Sequence, residues 1–88
     1  MAENQDEPLS EASAVAYPNP AGNNVTVKLA PSWLGGKISL INMAGETITR
    51  EDILSTEHTF DLTSKSTGLY LINVTNSNQR RLLRILKK

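Results

Sequence analysis

Few side chains in this sequence are equipped for catalysis, and their spacing assembles none of the familiar sites. His58 is the sole histidine, and cysteine is absent. Its neighbours Thr56, Glu57 and Thr59 have the composition of an exposed turn or strand start, so it reads as a solvated histidine. One histidine beside acids does not specify a metal site, because such sites ask for several fixed ligands. Asp61 with Glu46, Glu51 or Asp52 would give carboxylate pairs. Acids carried on loops, however, are poorly held at the separation that paired-carboxylate chemistry requires. Serine and threonine are plentiful, yet no Gly-x-Ser-x-Gly elbow occurs. Asn42-Met43-Ala44-Gly45-Glu46 lacks the regularly spaced oxygen ligands of a calcium loop, and Gly35-Gly36-Lys37 lacks the rest of a phosphate loop. Trp33, Tyr17 and Tyr70 could be drawn as a sugar-stacking platform, but Tyr70 reads as core. The inventory argues against an enzyme and implies neither cofactor nor metal.

The elements that would have to position these residues are short. Eighty-eight residues allow one domain with a small core, hiding only about 60–65% of the unfolded surface. Without cysteine, no disulfide supplements that core. No apolar run approaches the length of a membrane span, and residues 1–12 show neither the basic start nor the apolar segment of a signal peptide. Formal net charge is zero, but unevenly spread. Glu3, Asp6, Glu7 and Glu11 lie in the first twelve residues without a base, whereas Arg80, Arg81, Arg84, Lys87 and Lys88 end the chain without an acid. Solvated ends and a strand with a basic outward face account for this. A nucleic-acid partner is disfavoured, because the basic residues do not interleave with stacking aromatics.

Tyr17-Pro18-Asn19-Pro20-Ala21-Gly22-Asn23-Asn24 divides the chain. Its prolines and glycine fit neither a helix nor a central strand. They predict a rigid entry that fixes the incoming chain and shields an edge. Before it, residues 1–13 read as a flexible acidic linker; after it, residues 14–88 read as one β domain. A short edge strand is expected at residues 14–17. Val25, Val27 and Leu29 alternate with Thr26 and Lys28, the pattern of a half-buried strand. Trp33 and Leu34 are expected to fold over one end of the core. Further strands are predicted at residues 37–43, with Ile38 and Leu40 inward, at 46–53, with Ile48 inward, and at 59–62, with Phe60 and Leu62 sharing a face. Gly45 permits a reversal. Residues 69–74 form the most strand-like stretch, and Asn76-Ser77-Asn78-Gln79 predicts a hairpin to a last strand over residues 80–87. About seven short strands imply an all-β fold: an immunoglobulin-like antiparallel β-sandwich without the Cys…Trp…Cys spacing of true immunoglobulin domains.

These motifs, in order, resemble the type A C-terminal sorting domains of the type IX secretion system of Bacteroidetes. Tyr17-Pro18-Asn19-Pro20 and the alternation from Val25 resemble the family's opening. Ile38-Ser39-Leu40-Ile41-Asn42-Met43-Ala44-Gly45 is similar to its apolar hairpin ending in glycine. Phe60-Asp61-Leu62 followed by Gly68-Leu69-Tyr70 is similar to its glycine–tyrosine strand, and the chain closes on a basic, apolar strand. The likeness covers residues 15–88. Departures occur: Asn42 stands where aspartate is usual, Ile41 where tyrosine is common, Glu46 where a base is frequent, and Lys65 where leucine is frequent.

The resemblance implies an address rather than an activity: a non-catalytic signal that directs an attached cargo through the outer-membrane secretion machinery. The implied partners are the translocon and its shuttle components, a sortase-like signal protease and the covalently preceding cargo domain. The implied location is the outer membrane, the cell surface or the extracellular space, reached through the periplasm. Tyr17, Pro18, Asn19, Pro20, Gly45, Gly68 and Tyr70 carry the family pattern. Cleavage is expected within or upstream of the linker, with Ala2, Glu3, Asn4, Gln5, Asp6, Glu7, Pro8, Leu9, Ser10, Glu11, Ala12 and Ser13 as the candidate region. Recognition is expected at the terminal strand, Leu82, Leu83, Arg84, Ile85, Leu86, Lys87 and Lys88, whose apolar residues on both faces suit sheet augmentation. The competing reading is a fibronectin-like or carbohydrate-binding accessory module of a secreted enzyme.

Overall fold

A computed structural model describes residues 13–88. The expected linker, apart from Ser13, and the cleavage candidates at residues 2–12 lie outside the described residues. The elements are β1 Ala14–Tyr17, β2 Asn24–Leu29, a 3-10 turn at Pro31–Trp33, β3 Lys37–Ile41, β4 Thr47–Asp52, β5 Glu57–Asp61, β6 Gly68–Thr75 and β7 Arg80–Lys87. Antiparallel pairing gives a three-stranded sheet, β1-β2-β5, and a four-stranded sheet, β4-β3-β6-β7. Lettered as immunoglobulin-like strands, these are A-B-E facing C′-C-F-G. The expected sandwich is the observed one.

Alternation decides which side chains fill it. Val25, Val27 and Leu29 of β2, Ile38 and Leu40 of β3, Phe60 of β5, Tyr70, Ile72 and Val74 of β6 and Ile85 of β7 are all buried in one cluster. Each such aliphatic residue, fully buried, stabilises the fold by about 1.5–3 kcal/mol relative to exposure. Ile48 is only half-buried against this cluster; a register shift between Leu40 and Ile41 breaks the regular pairing of β3 with β4 there.

Trp33 and Leu34 part company. Trp33 closes one end of the core and is fully buried, whereas Leu34 is 47% exposed. The tight turn, opened by Pro31 and closed by the Leu34 amide donating to the Pro31 carbonyl at 3.0 Å, aims only one of two adjacent side chains inward. Ile53, just past β4, joins Trp33 in the core. Its amide donates to Gly36 O at 3.0 Å, and its carbonyl accepts from Gly35 N at 2.9 Å.

His58 is not a solvated residue. On β5 it shares a side with Phe60, so alternation turns it toward the seam between the sheets. Its side chain is 15% exposed, with Nε2 3.0 Å from Glu51 Oε1 on β4. Its ring centroid lies 4.8 Å from that of Phe60. The contact joins β4 and β5, an edge strand of each sheet.

Candidate functional site

The residues carrying the family-like pattern fall into three structural roles. At the β3–β4 turn, Asn42 Oδ1 accepts the amides of Ala44 at 2.9 Å and Glu46 at 3.0 Å. Gly45 there adopts φ +86°, a left-handed conformation costly for other residues. At the start of β6, buried Tyr70 donates its phenol hydroxyl to the Ser66 carbonyl at 2.6 Å. This satisfies a buried polar group and pins the turn before Gly68, as the tyrosine corner of immunoglobulin-like sandwiches does.

The third role belongs to Tyr17-Pro18-Asn19-Pro20-Ala21, which runs along the outer edge of β7 as the chain passes from β1 to β2. Both X–Pro peptide bonds in this segment are cis. Asn19 donates from Nδ2 to Arg84 O at 3.1 Å and accepts at Oδ1 from Leu86 N at 3.0 Å. Ala21 continues the contact as a parallel bridge to Lys87. Its amide donates to Leu86 O at 2.7 Å, and its carbonyl accepts from Lys88 N at 2.9 Å. A side-chain amide and one residue of backbone thereby occupy four of the polar groups, from the Arg84 carbonyl to the Lys88 amide, that an edge strand would present to other chains. Edge shielding, expected of the prolines, is carried out by Asn19 and Ala21. Nothing local in the sequence marks Ala21, which is fully buried.

This clasp changes the reading of residues 82–88. Leu83 is half-buried and Ile85 fully buried, while Lys87 is only 8% exposed, so this side of the strand belongs to the fold. Leu82 and Leu86 are 56% and 43% exposed on the opposite side, and Arg84 between them is also exposed. Sheet augmentation along residues 84–88 would have to displace Asn19 and Ala21. Over residues 84–88, the accessible part of β7 is its outward side-chain row.

The other candidates do not converge. Trp33 and Tyr70 are buried, so they make no sugar-stacking platform with exposed Tyr17. Among the described residues no cluster of three or more His, Cys, Asp or Glu is placed to hold a metal. Asp61 is occupied as a turn cap, accepting from the Thr63 hydroxyl at 2.6 Å and amide at 3.0 Å; these bonds, the hydroxyl's first, hold its carboxyl below the ordinary carboxylate value. Asp52 is lowered likewise, first by the hydrogen bond from Lys37 and then by that residue's charge. Ser13 is tied to the domain, its carbonyl accepting the Ala30 amide at 3.0 Å.

A seven-stranded immunoglobulin-like sandwich with a clasped last strand is thus the class of protein. Its family follows from the sequence comparison: the model of the secretion system C-terminal sorting domain matches residues 15–88, and the chain belongs to that family of non-catalytic domains. Among solved structures it is similar to PorZ, an essential bacterial surface component of the type IX secretion system of Porphyromonas gingivalis. The TM-score is 0.74 at 20% identity, covering 85% of this chain and 11% of that one. The likeness to PorZ is one of fold. No curated protein matches the sequence.

Proposed function

We propose that this domain is the address by which an attached cargo is passed through the outer-membrane machinery of a type IX secretion system. The translocon and its shuttle components hold the domain, and a sortase-like protease severs the preceding segment, within residues 2–13, as the cargo reaches the surface or the medium. The observation that carries this reading is the joining of the family pattern at both ends. Tyr17-Pro18-Asn19-Pro20 and the basic last strand form one hydrogen-bonded unit through Asn19 and Ala21. The entry to the domain and its last strand are thereby closed into one fold. Segments preceding a compact β unit also suit proteolysis, which needs an accessible extended chain.

The test is a reporter protein fused ahead of the full chain in a bacterium with a working type IX system. Export that requires this segment, with the released reporter ending within residues 2–13, is expected. A reporter that stays inside while the domain is folded, or leaves equally well without it, refutes the reading. Deleting residues 85–88 is a poor substitute, because it removes buried Ile85 together with three of the clasp's four hydrogen bonds.

A further inference from the structure

The two outer faces of the sandwich differ in the charges set among their exposed residues. On the three-stranded sheet, the outward positions of β2 and β5 are Thr26, Lys28, Glu57, Thr59 and Asp61, with the hydroxyls of Thr26 and Thr59 joined at 3.0 Å. β1 adds Val15 and Tyr17 to the same face, beside Lys28 and Thr26 and 55% and 42% exposed, so it too carries apolar surface, but its charges are of mixed sign. On the four-stranded sheet, cross-strand register sets Leu86 beside Leu69 and Arg84 beside Leu71, which itself pairs with Ile41. Leu82 lies one step further along the same outward row of β7. Leu82 and Leu86 stand more than two-fifths exposed, although polar residues there would cost the core nothing.

The charges among these apolar residues are of one sign. The cross-strand neighbours of Arg84, Arg80 and Arg50 are Leu71, Thr75 and Ser39. None is a carboxylate. Of the acids on β4, Asp52 is engaged by Lys37, and Glu51 turns to His58 at the seam. An apolar strip set among guanidinium groups is what a protein partner with a complementary patch would bury. Apolar contact supplies the centre, and arginine takes carboxylates in paired hydrogen bonds at the rim. Because the clasp fills the β7 edge over residues 84–88, this face is what that half of the strand still offers.

We infer that the outer face of β4-β3-β6-β7, centred on Leu71, Leu82, Arg84 and Leu86, docks a protein partner that is apolar at its centre and carboxylate-bearing at its rim. The inference rests on the sorting role proposed above and names the face by which the machinery holds the domain. The second copy of this chain and the anionic lipid surface are the competing occupants.

Reporter fusions of the full chain distinguish them. Leu82→Glu with Leu86→Glu, and separately Arg84→Glu, oppose the partner's acids. Leu82→Ser with Leu86→Ser removes apolar contact without adding charge, should the glutamates disturb folding. Lys28→Glu on the opposite face is the control. With thermal midpoints close to the parent's, the first three variants are expected to lower export by about tenfold or more, and the control by less than about twofold. Folded variants exported like the parent overturn the docking face, while the sorting role survives so long as export still requires the domain. Export without the domain overturns the sorting role itself. A dimer in sedimentation that Leu82→Ser with Leu86→Ser dissolves assigns the face to a second copy. Co-flotation of the isolated chain with phosphatidylglycerol vesicles, abolished by Arg84→Glu, assigns it to lipid. Either result overturns the protein partner.

Discussion

Leu86 donates its backbone amide to the side-chain oxygen of Asn19, 67 positions earlier, at 3.0 Å. The same side chain donates to the Arg84 carbonyl at 3.1 Å, so one asparagine satisfies a donor and an acceptor on the edge of the last strand. No other side chain of this size offers both groups in that geometry. Asn19→Ala is expected to lower unfolding free energy in urea by about 1–2 kcal/mol and to speed hydrogen exchange at the Leu86 amide. Asn19→Asp keeps the acceptor but sets a carboxylate against the Arg84 carbonyl. It should lose stability while keeping Leu86 protected. Equal exchange at Leu86 in parent and Asn19→Ala would show that the clasp does not close in solution.

Gly36 and Gly22 should respond oppositely to the same change. A methyl group on Gly36 would lie 2.1 Å from the Thr75 carbonyl oxygen and 3.1 Å from the Trp33 oxygen. Both obstacles are backbone and cannot step aside like a side-chain tip. Gly36→Ala is therefore expected to cost about 2 kcal/mol or more, since strands β3 and β6 must separate to admit it. A Cβ on Gly22 meets nothing within 4 Å. Gly22→Ala should be neutral or stabilise by up to about 1 kcal/mol through the unfolded chain. Thermal melts of the two variants decide the matter, and similar midpoints would refute the packing argument.

Tyr70→Phe removes the hydroxyl that donates to Ser66 O at 2.6 Å while keeping the buried ring. The Ser66 carbonyl then loses its phenol donor, and a loss of about 1–2 kcal/mol is expected in urea unfolding. Tyr70→Leu should cost more, because the core also loses aromatic volume. Phenylalanine at parental stability would mean that the tyrosine acts through its ring alone.

Asp61 gives the acid limb of stability a specific cause. Its carboxyl is held below the ordinary value, chiefly by the Thr63 hydroxyl and then by the Thr63 amide. A value lower in the folded than in the unfolded chain means that folding favours the ionised form. That contribution is complete above the unfolded carboxylate value and disappears as pH falls through the folded one. Thr63→Val deletes the hydroxyl and should raise the Asp61 midpoint in a carbon-13 carboxyl titration. Its penalty should be visible at neutral pH and fade on acidification. A penalty that persists below the carboxylate range would have another origin.

Sequence periodicity made the strands legible because each buried face repeats every second residue, as in Val25, Val27 and Leu29 or Tyr70, Ile72 and Val74. His58 obeys the same rhythm, since counting by two from Phe60 places it inward, although its polar neighbours have the composition of a solvated turn. Trp33 and Leu34 could not be separated, since a 3-10 turn has no two-residue rhythm. The proline-rich entry was recognisable as a boundary, and shielding of an edge followed from its composition. Which edge, and by which atoms, was not. The partners of Asn19 lie 65 and 67 positions away, and no local pattern encodes such a pairing. The unequal outer faces also emerge only once strand order is known, because Leu71, Arg84 and Ile41 become neighbours through pairing alone.

Asn42 and Glu46, where the resemblance leads one to expect aspartate and a base, are joined by their side chains. Asn42 Oδ1 accepts two turn amides, a task an aspartate would perform equally, but its Nδ2 also donates to Glu46 Oε1 at 3.0 Å. An aspartate at 42 would face the glutamate with like charge; a base at 46 would face the asparagine's donor. Each departure thus fits the other. Asn42→Asp alone and Glu46→Lys alone are each expected to destabilise the turn, whereas the double variant exchanges one complementary pair for another. A double-mutant cycle in urea should give a favourable coupling of about 0.5–1 kcal/mol at low salt, an exposed pair's range, and less as salt screens the Asp–Lys attraction. Additive effects would show that the two positions are energetically independent. Recovery in the double variant would establish Asn42 and Glu46 as an energetically coupled pair.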